Sequence, residues 1–290
     1  MSAASRPSVL AGLIGYGIGG SRTPAMHERE GDEQGLRYTY KLLDLAKFGA
    51  GVELLPQLLQ AVKWTGFSGL NITYPCKQAI IPLLDDLSEE ARALNAVNTV
   101  VIRDGRAVGH NTDWYGFAEA FKRGFPDVKR NRVVQFGAGG AGSAVAYALG
   151  TLGVQHLTIV DVDPARAGAV AESFCERFGA GRAEAGTDKA QVVAAADGIV
   201  NTTPLGMDKS PGMALQAELL RPDLWVAEIV YFPIETALLK AARAIGAPTL
   251  DGGGMAVFQA VGAFQLISGV KPDPERMLRH FAEFQNPGGG

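Results

Sequence analysis

Gly137-Ala138-Gly139-Gly140-Ala141-Gly142 follows a short apolar run, Val133–Phe136, and leads into an alanine-rich stretch. In that setting a GxGxxG pattern has physical content. The first glycine permits a tight turn, and the second lets the backbone approach a pyrophosphate. The third lets helix and strand pack closely, and the new helix offers its free amide groups to the phosphates. Asp161 ends the next apolar run, about 20 residues on, where a dinucleotide fold carries an acid for the adenosine ribose. A carboxylate there accepts hydrogen bonds from both ribose hydroxyls and repels a 2′-phosphate. Neither Val162 nor Asp163 supplies a compensating positive charge. The expected cofactor is therefore NAD rather than NADP, although Asp161 also has a plainer role open to it, capping a helix that starts near Pro164.

Gly15-Tyr16-Gly17-Ile18-Gly19-Gly20 matches the same pattern and also follows an apolar run. Here Ser21-Arg22-Thr23-Pro24 intervenes before a helix can begin, because proline marks a first turn. This motif reads as a decoy whose loop is free to hold something other than a pyrophosphate. Polar side chains suited to a small hydroxylated substrate gather in the same third of the chain: Ser21, Thr23, Thr73, Lys77, Asn98 and Asp113. Each also has an ordinary structural use. Thr23 would cap a helix, Lys77 would lie on a solvated helix face, and Asp113 would be a helix N-cap.

These residues need elements to position them. The first third alternates strand and helix: strand Val9–Ile14, helix Pro24–Gln34 capped by Thr23, strand Tyr38–Leu45, helix Leu54–Val62 and strand Phe67–Ile72. Two short helices follow near Cys76–Leu84 and Ser88–Leu94. A hairpin comes next, Ala96–Arg103 with Ala107–Asn111, turned at Asp104-Gly105. A helix over Asp113–Phe125 leads to a turn-rich linker at Pro126–Arg130. Beyond it come strand 133–136, the alanine-rich helix, strand Leu157–Val160, helix Pro164–Phe178 and strands Gly198–Asn201 and Trp225–Val230. Such alternation predicts a parallel sheet with helices on both faces. Helices over Gly252–Ser268 and Pro274–Phe284 close the chain and would pack back on the first part. The last residues, 286–290, read as a frayed tail.

The 290 residues are 47% hydrophobic and carry a net charge of -3, which gives no electrostatic case for nucleic acid or an anionic membrane as partner. Two cysteines without CxxC spacing fit a reducing cytosol. The run Val9–Ile18 is too short to span a bilayer, and no small-residue cleavage site follows it. No His/Cys cluster points to a metal, and His27 and His110 stand alone. A cytoplasmic enzyme acting on a small molecule, as monomer or homodimer, is the expectation.

As a set, Ser21-Arg-Thr-Pro24, Asn71-Ile-Thr-Tyr-Pro-Cys-Lys77, Asn95-Ala-Val-Asn98-Thr99, Asn111-Thr-Asp113, Asn201-Thr-Thr-Pro-Leu-Gly206, Tyr231-Phe-Pro233 and Gln259 resemble the shikimate dehydrogenase family over nearly the whole chain. The resemblance implies an α/β fold in which an N-terminal substrate domain joins a Rossmann-type dinucleotide domain, with the active site in the cleft between them. The substrate domain would span 1–113 plus about 252–290, and the NAD domain 114–251. It implies Lys77 and Asp113 as the catalytic pair. Ser21, Thr23 and Tyr231 would hold a substrate carboxylate, and Thr73, Asn98 and Gln259 would bind ring hydroxyls. Ala138, Gly139, Thr202, Leu205 and Met255 would lie near the cofactor, with Gly137 and Gly142 shaping its turn.

Two departures narrow the likeness. The family loop commonly reads Ser-x-Ser-Pro, and Thr23 replaces the second serine. A basic residue commonly follows the second strand of the nucleotide domain, and Asp161 stands in that region instead. Both changes resemble the NAD-linked quinate/shikimate branch, which works in the catabolic direction. Quinate has an extra hydroxyl beside its carboxylate, which the rotamer-restricted threonine hydroxyl would meet. Burial would lower the pKa of Lys77 while a neighbouring Asp113 would raise it, so the sequence leaves open whether it moves the proton or stabilises the alkoxide as a cation. Two other readings stand beside this one: a dehydrogenase of a related cyclohexene acid such as an aminoshikimate, and a ligand sensor that keeps the fold without the chemistry.

Overall fold

The computed structural model describes residues 6–285, so the expected tail at 286–290 lies outside the described residues. The chain forms β1 (Ser8–Gly15), α1 (Thr23–Glu33), β2 (Arg37–Asp44), α2 (Leu45–Phe48), α3 (Leu55–Trp64), β3 (Gly69–Ile72), α4 (Cys76–Ala79), β4 (Asp86–Leu87), α5 (Glu89–Leu94), β5 (Thr99–Arg103) and β6 (Arg106–His110). It continues through α6 (Asp113–Gly124), β7 (Arg132–Phe136), α7 (Gly140–Thr151), β8 (His156–Val160), α8 (Pro164–Phe178), β9 (Ala183–Ala185), α9 (Lys189–Ala194), β10 (Gly198–Asn201), β11 (Trp225–Glu228), α10 (Ala237–Ala244) and β12 (Thr249–Leu250). It ends with α11 (Gly253–Ser268) and α12 (Pro274–Gln285). Two compact units result: Met1–Thr112 with Val257–Gly290, and Asp113–Ala256.

The first unit is built on a mixed sheet of order β2-β1-β3-β5-β6-β4. β1 pairs in parallel with both β2 and β3, so the strand order reverses between β1 and β3. Side chains alternate across the pleat. Val9, Ala11 and Leu13 face a cluster closed by Phe264 and Ile267 of α11. Ile14, Leu70 and Ile72 face the opposite way, onto Leu55, Leu59 and Val62 of α3. The hairpin turns at Asp104 and Gly105, both with positive φ as a type I′ turn requires.

The second unit has the order β12-β11-β10-β7-β8-β9, parallel throughout. Counted from β7 this is the doubly wound order of dinucleotide folds, with its reversal between β7 and β10. Val133, Leu157 and Val200 pack on α6, α7 and α8, while Val134, Phe136 and Ile199 pack on α9 and α10.

Several expectations shift. Arg22, not Thr23, is the N-cap position of α1; Thr23 is already helical, and Ser21 Oγ accepts its N–H at 3.3 Å. Residues 126–130 do not part the units, because Phe117, Phe121 and Phe125 join the same cluster as Val145 and Leu149. The hairpin's first strand starts at Thr99 rather than Ala96, because Asn95 takes a left-handed φ of 47° as the C-cap of α5. β11 stops at Glu228, short of Val230, because the Val230 N–H is captured by the Glu228 carboxylate at 3.0 Å.

Candidate active site

In an α/β sheet, ligands bind beyond the carboxyl ends of the strands, at the point where strand order reverses. Each unit has one such point, and the candidate residues gather at both. In the first unit, the loop after β1 carries Ser21 and leads to Thr23, the first residue of α1, and the loop after β3 carries Thr73 and leads to Lys77 in α4. The two loops are tied by Tyr16 N–H donating to Tyr74 O at 3.0 Å. Thr73 continues the ladder, its N–H donating to Ile14 O at 2.9 Å. Gly15 lets Thr73 in: a Cβ there would sit 2.3 Å from Thr73 Cγ2. Lys77 lies half-buried in α4, whose turn is fixed by Val97 N–H donating to Lys77 O at 2.9 Å. Because Ser21 Oγ accepts from Thr23 N–H, its own proton is directed elsewhere, as a donor to a carboxylate must be.

Asn98 is buried within a polar network. Its Oδ1 accepts from Thr112 N at 2.7 Å and from Thr99 Oγ1 at 3.1 Å, and its Nδ2 donates to Thr112 Oγ1 at 3.0 Å. Behind it, Asn71 Nδ2 donates to Asn98 O and Thr99 Oγ1, and Tyr40 Oη donates to Asn71 Oδ1 at 2.7 Å. Burial pushes the Tyr40 phenol well above its ordinary value, so it stays protonated as that donor. Gln259 is half-buried on α11 in this unit. Sequence reasoning did not single out Tyr40, Thr99 and Thr112; the first two lie on β2 and β5, where polar groups on a buried face were the signal, whereas Thr112 lies in the connection after β6 and had no periodic signal.

The second unit holds Asp113, Tyr231, Met255 and the cofactor candidates. Gly137 has φ +103°, and a Cβ on it would fall 2.7 Å from Thr202 Oγ1. A Cβ on Gly142 would fall 2.5 Å from Gly137 O. Both glycines are therefore obligatory, one for conformation and one for closeness. Ala138 is buried, whereas Gly139 is exposed as the N-cap of α7 and no side chain caps that helix. Its first-turn amides have no intrahelical partner, and they adjoin a turn closed to Cβ atoms at Gly137 and Gly142 and open at Gly139 and Gly140, a cradle that fits a pyrophosphate. Gln135 braces the turn from inside the sheet, its Nε2 donating to Gly137 O and Gly142 O at 2.8 and 2.9 Å. Thr202 Oγ1 donates to Phe136 O and Gly137 O, each at 2.9 Å, locking the loop after β10 to the turn after β7.

Asp161 directly follows β8, with Oδ2 accepting from Ala138 N at 2.7 Å and Oδ1 from Asp163 N at 2.9 Å. The helix cap of α8 is Asp163, whose side chain accepts from Ala165 N, so Asp161 is not needed for that task. Arg166, in the first turn of α8, pairs with Asp163 at 3.4 Å.

Sequence reasoning also missed Glu228. Its carboxylate is buried and accepts from Asn201 Nδ2 at 2.9 and 3.0 Å, from Val230 N at 3.0 Å and from Thr236 Oγ1 at 3.2 Å. Asn201 Nδ2 also donates to Leu205 O, and Asn201 Oδ1 accepts from Thr203. One acid thus braces the loop bearing Thr202 and Leu205 and the segment entering Tyr231, which is half exposed. Desolvation raises its pKa to about 7 against the lowering pull of these hydrogen bonds. Asp113 is buried at the start of α6, and Met255 packs on the α6–α7 cluster.

Residues 13–100 match the shikimate dehydrogenase substrate binding domain family. A shikimate dehydrogenase (NADP(+)) of Streptomyces avermitilis is 57% identical over 281 residues, covering 96% of this chain and 97% of the relative. A quinate/shikimate dehydrogenase (NAD(+)) of Corynebacterium efficiens is 53% identical over 278 residues, covering 94% and 98%. Among solved structures, quinate dehydrogenase from Corynebacterium glutamicum in complex with NAD superposes with a TM-score of 0.91 at 49% identity, over 96% of this chain and 100% of that one.

Proposed function

The chain belongs to the shikimate dehydrogenase family, and from that premise we propose that it oxidises the ring 3-hydroxyl of quinate, shikimate or both, reversibly, with NAD as acceptor. The observation that carries the cofactor choice is Asp161, a carboxylate at the end of β8 hydrogen-bonded to the glycine turn. A 2′-phosphate brought to that carboxylate would meet like charge, whereas ribose hydroxyls would donate to it. Two observations favour NADP: Arg166 lies a turn further on, and the Streptomyces avermitilis relative bears that cofactor in its name. Asp163 already pairs with Arg166, which weakens it as a phosphate ligand.

The dinucleotide supplies the hydride acceptor. The chain's own groups bind, orient and manage the proton. Ser21 and Thr23 hold the substrate carboxylate with hydroxyl protons, together with Tyr231. Thr73, Asn98 and Gln259 fix ring hydroxyls. Lys77 stands next to the reacting hydroxyl, taking its proton or stabilising the developing alkoxide, and Asp113 orients Lys77 and binds the neighbouring hydroxyl. Thr23 in place of serine favours quinate; one unmatched polar group costs about 1–3 kcal/mol, enough to shift preference without excluding shikimate.

Steady-state kinetics with quinate and shikimate, each with NAD and NADP, test this reading. Efficient turnover only with NADP would overturn the cofactor choice, and no turnover of either acid would overturn the substrate choice. Lys77→Ala is expected to lower kcat by about 10²–10⁴-fold with little change in substrate affinity; near-normal turnover would remove Lys77 from the chemistry. Asp161→Ala is expected to raise KM for NAD and narrow the gap to NADP.

A further inference from the structure

The decoy glycine motif has an anion of its own. Asp44 ends β2, the strand beside β1, and is only 4% exposed. Its Oδ1 accepts from Gly17 N at 2.8 Å and its Oδ2 from Ile18 N at 3.1 Å. Gly17 has φ +68°, so two successive amides, one from a left-handed residue, form a concave donor pair of the kind that binds anions. Asp161 stands in the equivalent place in the second unit, bonded to Ala138 N–H. The two glycine loops differ in where their helices begin. α7 opens inside its motif at Gly140, whereas α1 opens at Thr23, beyond its motif. The first loop therefore has a segment, Ile18 to Thr23, held by Asp44 at one end and by α1 at the other. Within it Ser21 N–H donates to Ile18 O at 2.9 Å, so the amide that Asp44 grips belongs to the residue that sets Ser21.

We propose that Asp44 is a positioning residue for substrate binding: its carboxylate fills the amide pair of the Gly15–Gly20 loop and thereby mounts Ser21 and Thr23 at the height where they meet the substrate carboxylate. This rests on the reading that Ser21 and Thr23 hold that carboxylate. Asp44 also caps α2, accepting from Ala46 N at 3.1 Å, and the cap alone would be a sufficient structural reason for an acid. The bond from Oδ2 to Ile18 separates the two roles, since capping does not need it.

Asp44→Asn keeps the size of the side chain and its ability to cap, but turns an NH₂ donor toward one of the two amides. Gly17→Ala leaves Asp44 and its cap intact and strains only the amide pair, because no atom lies within 4 Å of the added Cβ. Ser21→Ala tests the underlying reading. The measurements are kcat, KM for quinate and shikimate, KM for NAD, and Tm. The expected result is a rise of about tenfold in substrate KM for Asp44→Asn and a smaller rise for Gly17→Ala, with kcat and KM for NAD nearly unchanged. If Ser21→Ala raises substrate KM and Asp44→Asn does not, or acts only on Tm, the positioning role is overturned while the substrate reading stands. If Ser21→Ala leaves substrate KM unchanged, the substrate reading fails and the proposal with it. Should neither loop variant fold, amide exchange in the wild type decides: Gly17 and Ile18 must be protected, and exchange at the rate of open loop amides overturns the proposal.

Discussion

Glu228 places a carboxylate where water is scarce, and its consequence is a pH dependence of stability. Its pKa rises from the ordinary 4.5 to about 7, chiefly through desolvation. The folded chain therefore holds this proton more tightly than the unfolded chain. The associated stability is fully present below about pH 4.5 and is lost as pH rises through about 7, an effect of roughly 3 kcal/mol. Urea denaturation of the wild type should show falling stability across that window, and Glu228→Gln, which mimics the protonated acid, should flatten it. An unchanged slope in the variant would mean that Glu228 does not titrate there. At this scale the residues whose role is dictated by backbone geometry were legible. Gly137 and Gly142 announce themselves because no other residue fits. Asp44, Gln135 and Glu228 did not, because their meaning depends on the loop facing them across the sheet. Asp161, an acid at a strand end, was legible because it stands at the expected distance from a glycine motif; Asp44 and Glu228 had no such marker.

Helices α1 and α12 illustrate the scale of elements. Glu30 on α1 is fully buried, and Arg276 on α12 meets it with two hydrogen bonds of 2.8 and 2.7 Å. Gln34 Nε2 and Asp273 N also donate to Glu30. Removing the guanidinium strands a buried carboxylate, so Arg276→Ala should cost about 3–5 kcal/mol by denaturant unfolding; a loss below about 1 kcal/mol would mean that the pair behaves as a surface one. The helix carrying the Ser21–Thr23 loop at its front is thus anchored by the last helix of the chain. Strong periodicity made the long elements readable: α8 spans Pro164–Phe178 as its pattern predicts. The short strands β4, β9 and β12 were not readable, since Asp86-Leu87, Ala183–Ala185 and Thr249-Leu250 are too brief to show alternation and exist because a neighbouring strand offers an edge. α10 was missed as well, although Thr236 caps it plainly, its side chain accepting from Leu239 N.

At the scale of the molecule, two sheets each reverse their strand order once, and each reversal gathers one set of candidate residues. The alternation of strands and helices made the parallel sheet of the second unit legible from sequence. The order of the first sheet was not, because the antiparallel pairing of β3 with β5 joins strands separated by two short helices, and the hairpin pattern of β5 and β6 does not say which strand the hairpin lies beside. On the proposed reading of the cofactor, NAD at a hundredfold excess over Kd should stabilise the chain by about 2.7 kcal/mol, read as a rise in Tm. A Tm unmoved by NAD would contradict that reading. The return of the chain to its first unit also sets a schedule for biosynthesis. Val9, Ala11 and Leu13 emerge from the ribosome early, yet Phe264 and Ile267, which close their side of the sheet, are translated only after the whole of Asp113–Ala256. At ordinary elongation rates that wait is on the order of ten seconds. The nascent first unit spends it with that sheet face covered only by α1, whose His27 packs on Tyr38 and Tyr40, so shielding by a chaperone should matter most for the opening third of the chain, and truncation before α11 should yield an aggregating fragment.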